Sequence, residues 1–173
     1  SRASRTFPQF LIFKPAMVVT AFLLCVYWYK NNTLINKIKN TGSKKNNFMI
    51  FGVLSAVFLM VHSILLGLET DIKIFKFLRR VVLVSFIIFE IIAQSLLVIN
   101  FYRLKIKLKD YCNSHILKLK ILLVSVLIFV AILSVPLLIL AGNIHFKHGL
   151  EWNYFIGVII FYLLTSFFWK KNI

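Results

Sequence analysis

Acidic residues are scarce in this sequence, which has five of them against 21 lysines and arginines, for a net charge of +16. All charged residues together make up 15% of the chain, well below the roughly 25% typical of soluble domains. In a soluble protein such a basic excess would suggest nucleic-acid binding. Here the basic residues stand in short stretches between long apolar runs, so we expect no nucleic-acid partner.

Cysteine and catalytic motifs are equally scarce. Cys25 lies within an apolar run and Cys112 in a basic loop, so a structural disulfide is not expected. The sequence has no Walker lysine loop, no Gly-x-Ser-x-Gly turn and no His-Glu-x-x-His, motifs that would indicate nucleotide binding, acyl transfer or zinc hydrolysis. No cofactor is therefore expected, and no reaction is indicated.

What the sequence does have is apolar surface, at 60% of residues with 18 phenylalanines. Because about twenty apolar residues span a bilayer as a helix, five runs predict an all-α polytopic transmembrane helix bundle with about five spans and short loops. The spans are expected at residues 7–29, 48–68, 81–102, 119–141 and 152–169. We expect one integral membrane domain over residues 1–173.

The distribution of lysine and arginine predicts the orientation. Thirteen of them flank one side of the predicted spans and eight the other, and the positive-inside rule assigns the richer side to the cytoplasm. The first loop, the third loop and the C-terminus would then be cytoplasmic, in a bacterial inner membrane or a eukaryotic endomembrane equally. An additional span before Ser1 is an alternative, since it would place a basic N-terminus inside and give six spans.

Glu90 falls near the middle of the third apolar run, where a lone carboxylate costs about 2.5–3.5 kcal/mol. Gln94 is one helical turn further on and shares its face, and His62 in the second run is the expected partner. One interpretation is a pair that handles protons or cations. The other is an interhelical hydrogen bond made by a neutral Glu90.

A second polar cluster comprises His145, His148 and Glu151, in the loop before the fifth run. The His-x-x-His spacing puts two imidazoles on one face of a helix, and Glu151 could add a third metal ligand. Alternatively, these residues cap the fifth helix, because a carboxylate is favourable near a helix N-terminus.

Basic and apolar residues alternate from residue 103 to 109. We expect this stretch to lie along anionic lipid headgroups, which attract each nearby lysine or arginine by about 1 kcal/mol. Its basic residues are Arg103, Lys105, Lys107 and Lys109. The expected partners are thus membrane lipids, together with other membrane subunits or a second copy of the chain.

Three functions are consistent with these features. The absence of a catalytic motif favours a non-catalytic accessory or scaffolding subunit of a membrane assembly. The alternatives are a small transporter or channel component using the Glu90–His62 pair, and a membrane-embedded enzyme acting on a lipid-type substrate through the histidine cluster.

Overall fold

A computed structural model describes residues 9–39, 46–65, 73–106, 108, 111–140 and 144–169. Within these ranges the chain forms five α-helices and no strand, apart from an isolated bridge that pairs Cys112 with Trp169. The helices are α1 (Gln9–Lys39), α2 (Asn47–Leu65), α3 (Lys73–Arg103), α4 (Ser114–Leu140) and α5 (Ile144–Ser166). The predicted all-α helical bundle is confirmed.

Four helices in the described part of the chain are long and apolar enough to cross a membrane, as expected of a membrane protein. Their apolar stretches are Leu11–Lys39, Asn47–Leu65, Phe77–Arg103 and Ser114–Ile132, whereas α5 contributes a shorter one, Asn153–Ser166. Four of the described helices, α1, α3, α4 and α5, each extend beyond the predicted span at one end by five residues or more. For example, α1 has 31 residues, or about 46 Å of rise, against about 30 Å of hydrocarbon, because helical hydrogen bonding continues where apolarity ends.

Two compact units divide the chain, Ser1–Ala93 and Gln94–Ile173. The first contains α1, α2 and the beginning of α3, and the second contains the end of α3 with α4 and α5. The expectation of one integral membrane domain stays a prediction.

In the first unit, α1 and α2 pack closely where a glycine faces a tryptophan. Gly52 of α2 lies against the indole of Trp28, and a methyl group built at Gly52 would overlap that ring. Trp28 is fully buried, with its ring 6.3 Å from that of Phe48. Small residues allow helices in lipid to approach this closely, which increases their van der Waals contact.

An asparagine cluster joins the end of α1 to the start of α2. Asn46, directly before α2, donates its backbone N–H and its side-chain amide to Oδ1 of Asn32, at 3.0 and 2.8 Å. The same amide donates to Oδ1 of Asn36 at 2.9 Å. Asn32 and Asn36 are both buried and lie one turn apart on α1. The amide of Asn46 has two hydrogens, so both side-chain bonds form together.

In the second unit, the connection between α3 and α4 is attached to the end of α5. The backbone N–H of Asn113 donates to the carbonyl of Phe168 at 2.9 Å, and the rings of Phe101 and Phe168 lie 4.9 Å apart. Further along, α4 and α5 approach at Gly157, where an added methyl group would come within 2.6 Å of Leu127.

Gly52→Ala should destabilise the protein by about 2 kcal/mol, because overpacking against Trp28 outweighs the gain in helix propensity. The measurement is denaturant unfolding in detergent. Gly149→Ala is the matched control, since Gly149 is also helical but has nothing within 4 Å of the added methyl. The control should be neutral or gain up to about 1 kcal/mol. Equal stability of both variants would contradict the close α1–α2 contact.

Candidate functional site

One face of α3 is buried along its length, and Glu90 stands in the middle of it. The buried residues follow one another at intervals of three and four, which is the spacing of a single helical face. They are Val82, Phe86, Glu90, Ala93, Leu97, Phe101 and Leu104. Glu90 and the adjacent Gln94 are both fully buried, as their position in the predicted third span suggested.

The carboxyl group of Glu90 meets the hydroxyl group of Ser55 on α2. Their oxygens, Oε2 and Oγ, lie 2.5 Å apart, and Ser55 is itself fully buried. Beside this contact the ring of Phe89 stacks on those of Phe51 and Phe58, with centroids 5.9 and 5.4 Å away. The polar contact between the two helices is therefore bordered by aromatic packing.

The hydrogens around Ser55 constrain the protonation of Glu90. Oγ of Ser55 also lies 2.8 Å from the carbonyl oxygen of Gly52, which can only accept a hydrogen bond. A hydroxyl group has one hydrogen to donate. Two hydrogens are therefore needed for the two contacts of Oγ. Ser55 donates its own hydrogen to the carbonyl of Gly52, and a protonated Glu90 donates the second hydrogen to Ser55.

His62, the partner expected for Glu90, is buried on the same side of α2 as Ser55. It lies seven residues beyond Ser55, or about 10 Å of helical rise. The structure thus brings Glu90 to Ser55 and places His62 two turns further along α2. The Glu90–His62 pair stays a prediction.

A buried lysine forms a second polar contact, in the second unit. Lys120 of α4 is fully buried, and its Nζ donates to Oγ1 of Thr165 on α5 at 2.7 Å. The ammonium also lies over the rings of Phe161 and Phe168, at 4.2 and 5.4 Å from their centroids. Oγ1 of Thr165 in turn lies 3.2 Å from the carbonyl oxygen of Phe161, so that the hydroxyl can accept from Lys120 and donate to its own helix.

The contacts of Lys120 compensate for removing a charge from water. Burying an ammonium costs several kcal/mol, while a hydrogen bond from a charged group contributes about 1.5–3 kcal/mol. A desolvated cation–π contact adds about 2 kcal/mol, and Lys120 has two such rings. The group is therefore held by its aromatic surroundings as much as by Thr165.

The burial of Lys120 was not predicted, because Lys120 was counted among the thirteen lysines and arginines that flank one side of the predicted spans. Helical periodicity is the signal that could have found it, since Leu117, Lys120, Val124 and Leu127 are buried at steps of three, four and three. Ser55 was also missed. A single serine in an apolar run is common, and only the register of α2 against α3 selects it.

The predicted metal cluster stays a prediction. His145, His148 and Glu151 lie in the first turns of α5, and their side chains fall outside what the structure describes. Among the residues that it does describe, no three His, Cys, Asp or Glu side chains come together as metal ligands.

The predicted headgroup segment is described in part. Arg103 ends α3 and Lys105 follows in a turn, both with exposed side chains, whereas Lys107 and Lys109 fall outside the described residues. Leu104 and Leu108, four residues apart, are buried. The spacing in this stretch is that of a helical turn rather than of a strand.

Comparison with protein-family models, with curated proteins and with solved structures finds no match to this chain.

Ser55→Ala should lower the unfolding free energy by about 1–2 kcal/mol, the upper part of the range for interhelical hydrogen bonds in membranes. Glu90→Gln should cost less than half as much, because its amide can still donate to Ser55. Ser166→Ala is a matched control: Ser166 is exposed, and its hydroxyl bonds a carbonyl three residues earlier in its own helix, as Ser55 does. It should change stability by less than about 0.5 kcal/mol. Equal effects at both serines would contradict the interhelical bond.

Lys120 should resist amine-reactive esters in the folded protein, with labelling roughly tenfold or more slower than at Lys118, because modification requires local unfolding. Lys118 is an internal control, since it lies two residues away on the same helix and is exposed. Peptide mass spectrometry gives both rates, and denaturation should equalise them. Rapid labelling of Lys120 before unfolding would show that it is not buried.

Proposed function

We propose that this protein is a non-catalytic, multi-pass membrane protein that serves as an accessory or scaffolding subunit of a membrane assembly. The observation that supports the proposal is that a buried acid and a buried ammonium group each form a hydrogen bond between two helices. Glu90 bonds Ser55 between α3 and α2, and Lys120 bonds Thr165 between α4 and α5. Intramembrane charged residues commonly mark a transport pathway, but these two connect helices.

Glu90 is neutral in this proposal. The neutral acid supplies the hydrogen that lets Ser55 bond both Glu90 and Gly52. It also avoids the about 2.5–3.5 kcal/mol that a charge costs at the centre of a membrane helix. The carboxyl group then acts as an interhelical hydrogen-bond donor, not as an exchangeable charge.

The exposed surface of α4 supports the scaffolding role. Large apolar side chains follow one another along it at intervals of three and four residues, a spacing that suits packing against another helix. They are Leu119, Leu122, Val126 and Phe129, each at least 47% exposed. Such a face fits a helix of another subunit or of a second copy, with lipid as the alternative neighbour.

The orientation belongs to the same proposal. Four described helices can cross a membrane, and the excess of lysine and arginine on one side supports a cytoplasmic C-terminus. In that orientation Arg103 and Lys105, both exposed, would face the anionic lipids of the cytoplasmic leaflet.

A transporter or channel component is the second candidate. It is favoured by the burial of two ionisable groups within the first unit, Glu90 on α3 and His62 on α2. Intramembrane carboxylate and imidazole groups together can relay protons. This candidate requires Glu90 to exchange its proton with water.

Proton flux in liposomes separates the two candidates. With a pH gradient and a trapped pH-sensitive dye, the wild type should dissipate the gradient no faster than protein-free liposomes. Glu90→Gln and His62→Gln should leave that rate unchanged, because neither group carries protons in a scaffolding role. A wild-type flux that Glu90→Gln abolishes, with Ser166→Ala retaining it, would overturn the proposed function in favour of transport.

A further inference from the structure

A cavity of about 560 Å³ lies in the second unit, between the end of α3 and the start of α4. Its volume falls within the range of ligand sites, roughly 300–1,000 Å³. Apolar side chains form most of its wall, among them Phe101, Leu108, Leu117 and Phe168. An apolar ligand segment would therefore fit its interior.

The remaining wall is suited to a negative charge. Lys105 lines the cavity with Asn113 and Ser114, the residues at which α4 begins. Oδ1 of Asn113 caps the helix by accepting the N–H of His115 at 3.0 Å, and the first turn of α4 has no acidic residue. Among the described residues that line the cavity, Lys105 is the one charged side chain, so the charge at this wall is complementary to an anion.

In a membrane spanned by α3 and α4, the cavity would lie at the depth of the headgroups. The apolar stretch of α3 ends at Arg103 and that of α4 begins at Ser114, so the residues between them belong at the end of both spans. Tyr102 and Tyr111 flank this level with exposed rings, as aromatic residues do at membrane interfaces.

We propose that this cavity binds one anionic phospholipid. An acyl chain would occupy the apolar wall formed by Phe101, Leu117 and Phe168, and the phosphate would lie at Lys105 and the start of α4. The walls are held in place by the ring contact between Phe101 and Phe168 and by the bond from Asn113 to Phe168. Such preorganisation lowers the cost of ordering the site on binding.

The inference differs from a general attraction of basic residues to the membrane. Diffuse attraction depends on the number of charges near the surface, whereas a lipid bound in the cavity would have its headgroup recognised by one residue, Lys105. It also goes beyond a scaffolding role, which requires no selection among lipids. The two proposals can fail separately. Absence of lipid selectivity would not contradict a scaffolding role, and proton flux through the protein would not contradict the lipid site.

Tryptophan fluorescence provides the test, because Trp169 contacts two cavity residues, with ring centroids 6.1 Å from Phe101 and 5.0 Å from Phe168. The full chain is reconstituted in phosphatidylcholine liposomes that contain a small fraction of a lipid with brominated acyl chains, which quench nearby indoles. This brominated lipid is phosphatidylglycerol in one sample and phosphatidylcholine in the other. Brominated phosphatidylglycerol should quench more strongly, and Trp169→Phe should remove that excess.

The two lysine variants then locate the headgroup. Lys105→Gln should weaken the preference for phosphatidylglycerol roughly fivefold, and it should fold normally because Lys105 is exposed. Lys118→Gln is the matched control, since Lys118 is exposed but does not line the cavity, and it should retain the preference within about twofold.

Three outcomes would overturn the proposal. Equal losses in both lysine variants would show diffuse attraction, and equal quenching by the two lipids would show an apolar site without headgroup selection. Loss of the excess on adding soluble glycerol phosphate, at the concentration of the anionic lipid, would show that a phosphate is bound without its acyl chain.

Discussion

A carboxyl group surrounded by hydrocarbon must find its hydrogen-bond partners inside the protein, and Glu90 finds one in Ser55. This requirement favours one register of α2 against α3, in which the hydroxyl group of Ser55 lies beside the carboxyl group of Glu90. The same short stretch of α2 also presents Gly52 to Trp28 of α1. Gly52 and Ser55, three residues apart on α2, therefore position this helix against α1 on one side and against α3 on the other.

The second unit handles a buried ionisable group by different means. The ammonium of Lys120 lies under two aromatic rings and bonds Thr165. A cation gains from the negative faces of aromatic rings, whereas the neutral acid of Glu90 needs a hydrogen-bond partner and has one in the hydroxyl group of Ser55. Both groups end as contacts between helices, which is the physical basis for the proposed structural role.

The number of helices and the burial of Glu90 could be predicted from the sequence, because hydrophobic length and the cost of a charge in lipid are local properties. The contact between Glu90 and Ser55 could not, since it depends on the register between α2 and α3. Lys120 was counted among the charges that flank the spans because it stands at the edge of the apolar run that begins at Leu119, although its spacing from Leu117 and Val124 indicates a buried face. The extension of α1 to Lys39 was not predicted, because hydropathy indicates which residues can lie in a bilayer and not where a helix ends.

Infrared spectroscopy of the reconstituted protein at neutral pH can determine whether Glu90 is a neutral acid that holds α2 and α3 together. The spectrum should contain the absorption of a protonated, hydrogen-bonded carboxyl group, and this band should disappear in Glu90→Gln and shift in Ser55→Ala. If Glu90→Gln instead removes an ionised carboxylate band and no band of a protonated acid, Glu90 is charged in the membrane, and the structural role assigned to it is wrong.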